Sequence, residues 1–175
     1  MTNLRLIALL DARDRALFVR WVLDATAPAR QARFWHLLTH AGGARVTIMG
    51  ALLPFLFGAG SLRAAAAQAC IALAISHGIV HLMKRSVLRA RPAVPASALK
   101  VTAPDQFSFP SGHSSAALTV AFTYSLAFPS LAAPLIGLAT LTGVSRVRLG
   151  VHYPGDVLAG QGIAILTVLL VRALV

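Results

Sequence analysis

The chain contains no glutamate, and its five acidic residues are all aspartates. Carboxylates for a hard-cation cage are therefore scarce, which disfavours a Mg²⁺ or Ca²⁺ site. Cys70 is the only cysteine and lies in an apolar run, which excludes an intramolecular disulfide and a thiolate metal cluster. Charge of either sign is thin: 12% of residues are Asp, Glu, Lys or Arg, about half the share of soluble domains. There is no Ser/Gly-rich linker and no internal repeat, and the only alanine tract is the short run Ala64 to Ala67. Residues 1–175 are accordingly read as a single domain.

What is present is apolar, with 57% hydrophobic residues and a mean hydropathy of +0.75. The net charge of +11 raises the question of nucleic acid. However, the arginines stand at the ends of apolar runs and form no basic face, a placement that membrane anchoring explains and nucleic-acid binding does not. The partner implied by composition is the bilayer.

Uncharged runs set the architecture. Residues 46–62 lie between Arg45 and Arg63, and residues 64–83 between Arg63 and Lys84. Both lengths fall in or near the ~17–25 residues of a spanning helix. Gln106 to Ser145 carries no charge and is too long for one crossing, so the Phe128-Pro129-Ser130 and Pro134 region divides it into two. A last span begins near Pro154, a proline suited to the first turn of a helix, with Arg172 able to snorkel.

The first 45 residues carry seven arginines and hold no run of ~20 apolar residues. Leu6 to Leu10 is short for the apolar core of a cleaved signal. Leu10, Leu17, Phe18, Trp21 and Val22 recur at helical spacing, which fits an amphipathic helix on the bilayer surface or one packed on the protein's own loops. Gly42-Gly43 breaks the chain before the first span. The expectation is an all-α polytopic membrane bundle of about five transmembrane helices, 46–175, with an N-terminal amphipathic surface helix within 1–45.

Five crossings place the N-terminal segment and the loops 84–110 and 146–156 on one face, with fourteen of the sixteen Lys/Arg; only Arg63 and Arg172 lie opposite. By the positive-inside rule that face of an inner-membrane protein is cytoplasmic.

Three polar clusters meet on that face. One is Lys84-Arg85-Ser86-Val87-Leu88-Arg89-Ala90-Arg91-Pro92. In the second, Phe109-Pro110-Ser111-Gly112-His113, a polar loop gives way to an apolar run. A helix capped by Ser111 would aim unpaired N–H groups and a favourable dipole end at an anion, and His113 adds a group that moves protons near neutral pH. The third runs from Ser145-Arg146 to His152-Tyr153-Pro154-Gly155-Asp156. His152 four residues before Asp156 reads as a metal pair or an activated imidazole, and the three cations nearby favour the imidazole. Guanidinium groups match the non-bridging oxygens of a phosphate ester. A neutral His152 oriented by Asp156 can attack phosphorus, and His113 is the acid available for the departing alkoxide.

With these residues in view, the chain resembles the type 2 phosphatidic acid phosphatase superfamily of membrane lipid phosphatases, whose helical core is shared with vanadium haloperoxidases. The three-part signature KxxxxxxRP, PSGH and SRxxxxxHxxxD is met by Lys84, Arg91 and Pro92; by Pro110 to His113; and by Ser145, Arg146, His152 and Asp156. The resemblance implies that Lys84, Arg91 and Arg146 hold the phosphate oxygens together with Ser111 and the backbone at Gly112. It implies a phosphohistidine on His152, oriented by Asp156, and His113 as the acid that becomes the base for water. It implies no metal and no cofactor.

The function expected is hydrolysis of a lipid phosphate or pyrophosphate of the polyprenyl, phosphatidylglycerophosphate, phosphatidate or lipid-A class. A silent lipid-phosphate binder, a phosphatase of soluble phosphoesters and a vanadate-dependent halide oxidase are the alternatives. Arg85, Arg89 and Arg148 fall at unspecified positions and are read as headgroup anchors. His77 and His81 either line the substrate's approach or pack between helices, and Trp21 and Trp35 are read as interfacial aromatics.

Overall fold

The computed structural model describes residues 2–24, 26–93 and 105–175, with side chains from Asp11 onward. Lys100, counted above among the loop cations, and the side chains of Arg5 and Leu10 lie outside the described residues. Seven α-helices occur among the described residues: α1 (Thr2–Trp21), α2 (Ala29–His40), α3 (Ala44–Phe57), α4 (Gly60–Val87), α5 (Gly112–Ala127), α6 (Ala132–Arg148) and α7 (Pro154–Leu174). A 3-10 turn, Pro129–Leu131, leads into α6.

The helix boundaries follow local chemistry. Ser111 is the N-cap of α5, with its Oγ accepting from the Ser114 N–H at 3.5 Å. Pro154 occupies the first turn of α7. Residues 41–43 separate α2 from α3, where the Gly42-Gly43 break is expected. At the end of α4, Leu88 caps the helix in the left-handed region, φ 53°, and turns the chain so that Lys84 and Arg91 share Asp105 while Arg89 faces Asp156. Gly150, φ 80°, makes the turn that brings the N–H groups of Val151 and His152 back to the Arg146 carbonyl.

The interior is built from small side chains. Ala66, Ala69 and Ala72 of α4 and Ala164 of α7 are fully buried, while Phe57, Leu82, Leu158 and Leu166 point outward. This is the inverse of a water-soluble core and suits helices packed closely in a lipid solvent. At the centre, α5 packs against α3, α4, α6 and α7. Three of its buried hydroxyls return to the helix's own carbonyls, Thr119 to Ser115 at 2.9 Å, Thr123 to Thr119 at 2.8 Å and Ser125 to Ala121 at 2.7 Å, while Ser114 Oγ donates to the Val157 carbonyl of α7 at 3.3 Å.

Two expectations change in detail. Three helices, α4, α6 with its 3-10 turn, and α7, are each long and apolar enough to cross a membrane, and α2 with α3, bent by 41°, forms a fourth candidate. The expected third crossing, α5, leads from the site to the start of α6, which returns to it, but is a helix of only 16 residues, about 24 Å long. Its uncharged sequence reflects burial among other helices, which the pattern alone does not distinguish from exposure to lipid. Arg63 is also no boundary. The break falls at Gly58 and Ala59, and Arg63 stands in the first turn of α4 with its guanidinium 5.6 Å from the Phe55 ring centre.

Candidate active site

The three polar clusters converge at one end of the bundle. Ser111 N–H donates to the Asp156 carbonyl at 2.9 Å, which fastens the start of α5 to the start of α7. Gly160 permits this approach, since a Cβ there would stand 2.5 Å from the Ser111 carbonyl oxygen. A cavity of about 820 Å³ opens beside the junction. Lys84, Arg91, Gly112, His113, Arg146 and His152 all line it, so six of the eight sequence-predicted site residues share one space. The other two, Ser111 and Asp156, are fully buried directly behind it.

His152 is buried on the turn before α7. Its Nε2 lies 3.1 Å from Arg91 Nη1, and its Nδ1 faces Asp156 Oδ2 at 3.5 Å, too long for a strong hydrogen bond. A guanidinium only donates, so Nε2 is the acceptor and Nδ1 carries the proton toward Asp156. Burial pushes the His152 pKa down to about 4; Asp156 opposes the shift, while Arg146 and Arg91 add to it. The ring is therefore neutral at physiological pH, with its Nε2 lone pair turned to Arg91 on the cavity side.

Arg146 is only 1% exposed and has no carboxylate partner among the described residues. Its Nη1 donates to Thr39 Oγ1 at 2.6 Å, and its Nε has no acceptor among the described residues. A buried cation with an unsatisfied donor at a cavity wall fits an anionic ligand. The N–H groups of Gly112 and His113, in the first turn of α5, have no intrahelical acceptor and add to that capacity.

Asp156 Oδ2 accepts the Tyr153 N–H at 2.8 Å, and its Oδ1 accepts from Arg89 Nη1 at 2.7 Å. Arg89 is therefore no headgroup anchor, contrary to the sequence expectation. It pairs with Asp156, with Asp14 at 2.7 Å and with Asp11 at 2.7 Å, and lies 4.1 Å from the Tyr153 ring centre. Burial opposes ionisation of Arg89, but its aspartate partners outweigh that and raise its pKa. Arg148 is also not free for lipid: it donates to the Trp21 carbonyl at 2.9 Å and stands 5.4 Å from the Trp35 ring centre. Arg85 is exposed, as an anchor would be.

The N-terminal segment belongs to this site. Asp14 accepts the Gly155 N–H at 2.7 Å at the start of α7, and Phe18 packs edge-on against Tyr153 at 5.4 Å. Asp11, Asp14 and Thr39 belong to no recognisable motif, and nothing in their sequence neighbourhood marks them. His77 and His81 are exposed and line the cavity, the first of the two expected placements.

The PAP2 superfamily model matches residues 65–175. The chain belongs to that superfamily. Among curated PAP2 relatives, the decaprenylphosphoryl-5-phosphoribose phosphatase of Mycobacterium tuberculosis is 42% identical over 90 residues, 49% of this chain and 48% of that protein. A lipid A 1-phosphatase of Rhizobium johnstonii is 35% identical over 92 residues, 47% of this chain and 36% of that one. The matched stretch thus spans half or less of the length of these relatives. The fold is that of a PAP2-type phosphatidylglycerolphosphate phosphatase from Bacillus subtilis, with a TM-score of 0.75 at 22% identity, covering 95% of this chain and 86% of the other. A helical integral membrane protein of PAP2 type is established by these comparisons together with the helices described above.

Proposed function

We propose that this PAP2 chain is a metal-independent phosphatase of a membrane lipid phosphate or pyrophosphate, acting through a phosphohistidine on His152. The observation that carries the reading is the neutral His152, its Nε2 lone pair facing a cavity that also holds Lys84, Arg91 and Arg146. Nearby carboxylates are committed to cations, Asp156 to Arg89 and Asp105 to Lys84 and Arg91, which leaves little for a metal.

The phosphate enters with its oxygens on Lys84, Arg91 and Arg146 and on the α5 N-terminus at Ser111 and Gly112. Arg91 swings from Nε2 onto a phosphate oxygen and so releases the lone pair. Nε2 attacks phosphorus, the P–O bond to the leaving group breaks, and His113, neutral in the free site and charged by the substrate's own proton once the bound phosphate offsets Arg146 and Arg91, gives that proton to the departing oxygen. Asp156, across from Nδ1–H, balances the charge that the imidazole gains. Neutral His113 then takes a proton from water as the water oxygen attacks phosphorus, the N–P bond breaks, and inorganic phosphate leaves.

A lipid substrate suits the cavity's other wall. It continues from the polar end along Ile48, Leu52 and Leu73 on α3 and α4, an apolar path for a chain whose phosphate lies at His152. The relatives' names cover polyprenyl-linked and lipid A phosphates, and we extend to this chain the class they share, a terminal phosphate on a lipid. The Lys/Arg distribution favours a cytoplasmic site at the inner membrane. Since α7 starts at the site and runs away from it, the C-terminus then lies outside, and a cytoplasmic C-terminal reporter contradicts this orientation.

The test is phosphate release by the purified protein in detergent from polyprenyl phosphate and pyrophosphate, phosphatidylglycerophosphate, phosphatidate and a lipid A 1-phosphate. Turnover of at least one, unchanged by EDTA and abolished in His152→Ala, is expected. Binding without turnover, turnover of soluble phosphoesters alone, or EDTA-sensitive activity restored by Mg²⁺ contradicts the reading.

A further inference from the structure

His77 and His81 line the same cavity as the catalytic residues, yet the reaction described above gives them no task. Both stand on α4, one helical turn apart, and Lys84 follows His81 after three residues on the same face. At a rise of ~1.5 Å per residue, His81 lies about 4.5 Å and His77 about 10.5 Å along the helix axis from Lys84. Beyond them the α4 wall turns apolar at Leu73, and α3 faces it with Ile48 and Leu52. The cavity therefore runs in tiers: phosphate-binding cations, then two imidazoles, then an apolar channel.

The protein itself does not serve the middle tier. Neighbouring hydroxyls turn to backbone carbonyls: Ser76 to Leu73 at 3.2 Å, Ser86 to Leu82 at 3.0 Å, and Thr47 on the facing helix to Gly43 at 3.1 Å. His77 and His81 are exposed at the cavity and make no side-chain hydrogen bond among the described residues. Unpartnered polar rings on a membrane-crossing helix point to a polar ligand.

Resting on the phosphatase reading, we propose that His81 and His77 form a second phosphate subsite, and that the substrate is a lipid with an inner phosphate between its terminal phosphate and its apolar chain. A neutral imidazole donates one N–H to a phosphate oxygen, and by taking a proton it gains a charge and a second donor. It thus meets an anion below the membrane surface without carrying a fixed charge there when no substrate is bound, as a lysine or arginine would. The spacing of one turn sets both rings on one side of α4.

Two kinds of lipid have this chemistry. In a lipid pyrophosphate one bridging oxygen separates the phosphates, which places the inner one at His81, one turn from Lys84. In a phosphodiester-linked headgroup a glycerol or sugar intervenes, which places it deeper, at His77. A simple monophosphate such as phosphatidate sets its ester-linked chains in this tier and leaves both rings unpaired, a cost that a two-phosphate lipid avoids.

The experiment is calorimetric binding in detergent to the His152→Ala protein, which prevents turnover, and to the same protein carrying His77→Ala, His81→Ala or both. The probes are two pairs matched in their chains: farnesyl pyrophosphate with farnesyl phosphate, and dihexanoyl phosphatidylglycerophosphate with dihexanoyl phosphatidate. A phosphorylated octyl glucoside, with a sugar spacer and no inner phosphate, is the control. The double variant is expected to weaken the two-phosphate member of at least one pair by about tenfold, the loss of a hydrogen bond to a charged group, while the one-phosphate members and the glucoside change by less than about twofold. A loss in the farnesyl pair through His81→Ala assigns the pyrophosphate; a loss in the dihexanoyl pair through His77→Ala assigns the spaced headgroup. Equal weakening within each pair makes the histidines mere cavity wall, and weakening of the glucoside makes them a hydroxyl site; either result, or no change, overturns the proposal. Because binding is read without turnover, an inactive His152-intact protein would overturn the phosphatase reading alone.

Discussion

Arg91 Nη1 lies 3.1 Å from His152 Nε2, so a phosphate-binding cation covers the lone pair of the nucleophile proposed above. The contact fixes the tautomer, because the guanidinium has no lone pair to offer in return. It also ties ligand binding to activation, since the arginine that moves to the phosphate uncovers the nitrogen.

The pH profile follows from the same ring. The His152 pKa is depressed to about 4, so the neutral, nucleophilic form persists down to that pH in the free protein. kcat/KM is expected to fall about tenfold per pH unit below about 4, measured in detergent with short pre-incubation. Stability has the same sign. A histidine with a depressed folded-state pKa stabilises the fold fully above its unfolded value of ~6.5, and this is lost as pH falls toward 4. His152→Gln should remove that part of the acid sensitivity of Tm.

Arg89 holds Asp156 rather than the bilayer. Arg89→Gln leaves a fully buried carboxylate without its ion pair and frees Asp11 and Asp14 of α1. We expect kcat to fall on the order of tenfold or more with a smaller change in KM, and Arg89→Lys to recover part of the loss. Asp14→Asn should lower Tm and kcat in the same direction but less, because Asp156 keeps Arg89. A headgroup anchor would instead change membrane association and leave kcat alone.

Gly160 and Gly162 provide a matched pair on α7. A Cβ at Gly160 meets the Ser111 carbonyl at 2.5 Å, whereas nothing lies within 4 Å of one at Gly162. Gly160→Ala is expected to cost about 1–3 kcal/mol of stability and to reduce activity by displacing the start of α5. Gly162→Ala should be neutral or slightly stabilising on both readouts.

Thr39 is the only described acceptor for the Arg146 side chain. Thr39→Val keeps the volume and removes the oxygen, so the guanidinium loses its hold in the cavity wall. KM for a lipid phosphate should rise by about fivefold, the ~1 kcal/mol of one lost hydrogen bond, with Thr39→Ser close to wild type.

The motif-bearing half of the site is legible in the sequence because its residues sit at helix ends, where punctuation is strong. Ser111 and Pro154 announce the starts of α5 and α7, and the spacing from His152 to Asp156 spans one turn. The supporting residues are not legible, since Asp11, Asp14 and Thr39 reach the site only through the packing of α1 and α2 on the bundle. Arg89 is hidden for a different reason: an arginine near a membrane edge looks like an anchor until its carboxylate partners are placed. Composition identified a membrane protein, but it could not separate a lipid-facing helix from α5, whose uncharged surface is covered by four other helices.

The most direct test of phosphoryl transfer through His152 is rapid quenching of the protein with a lipid phosphate labelled with ³²P at its terminal phosphorus. A protein-bound label that is acid-labile, alkali-stable, maps to His152 and decays at the rate of phosphate release is predicted. Wild-type hydrolysis retained by His152→Ala, or label found only on another residue, would contradict it.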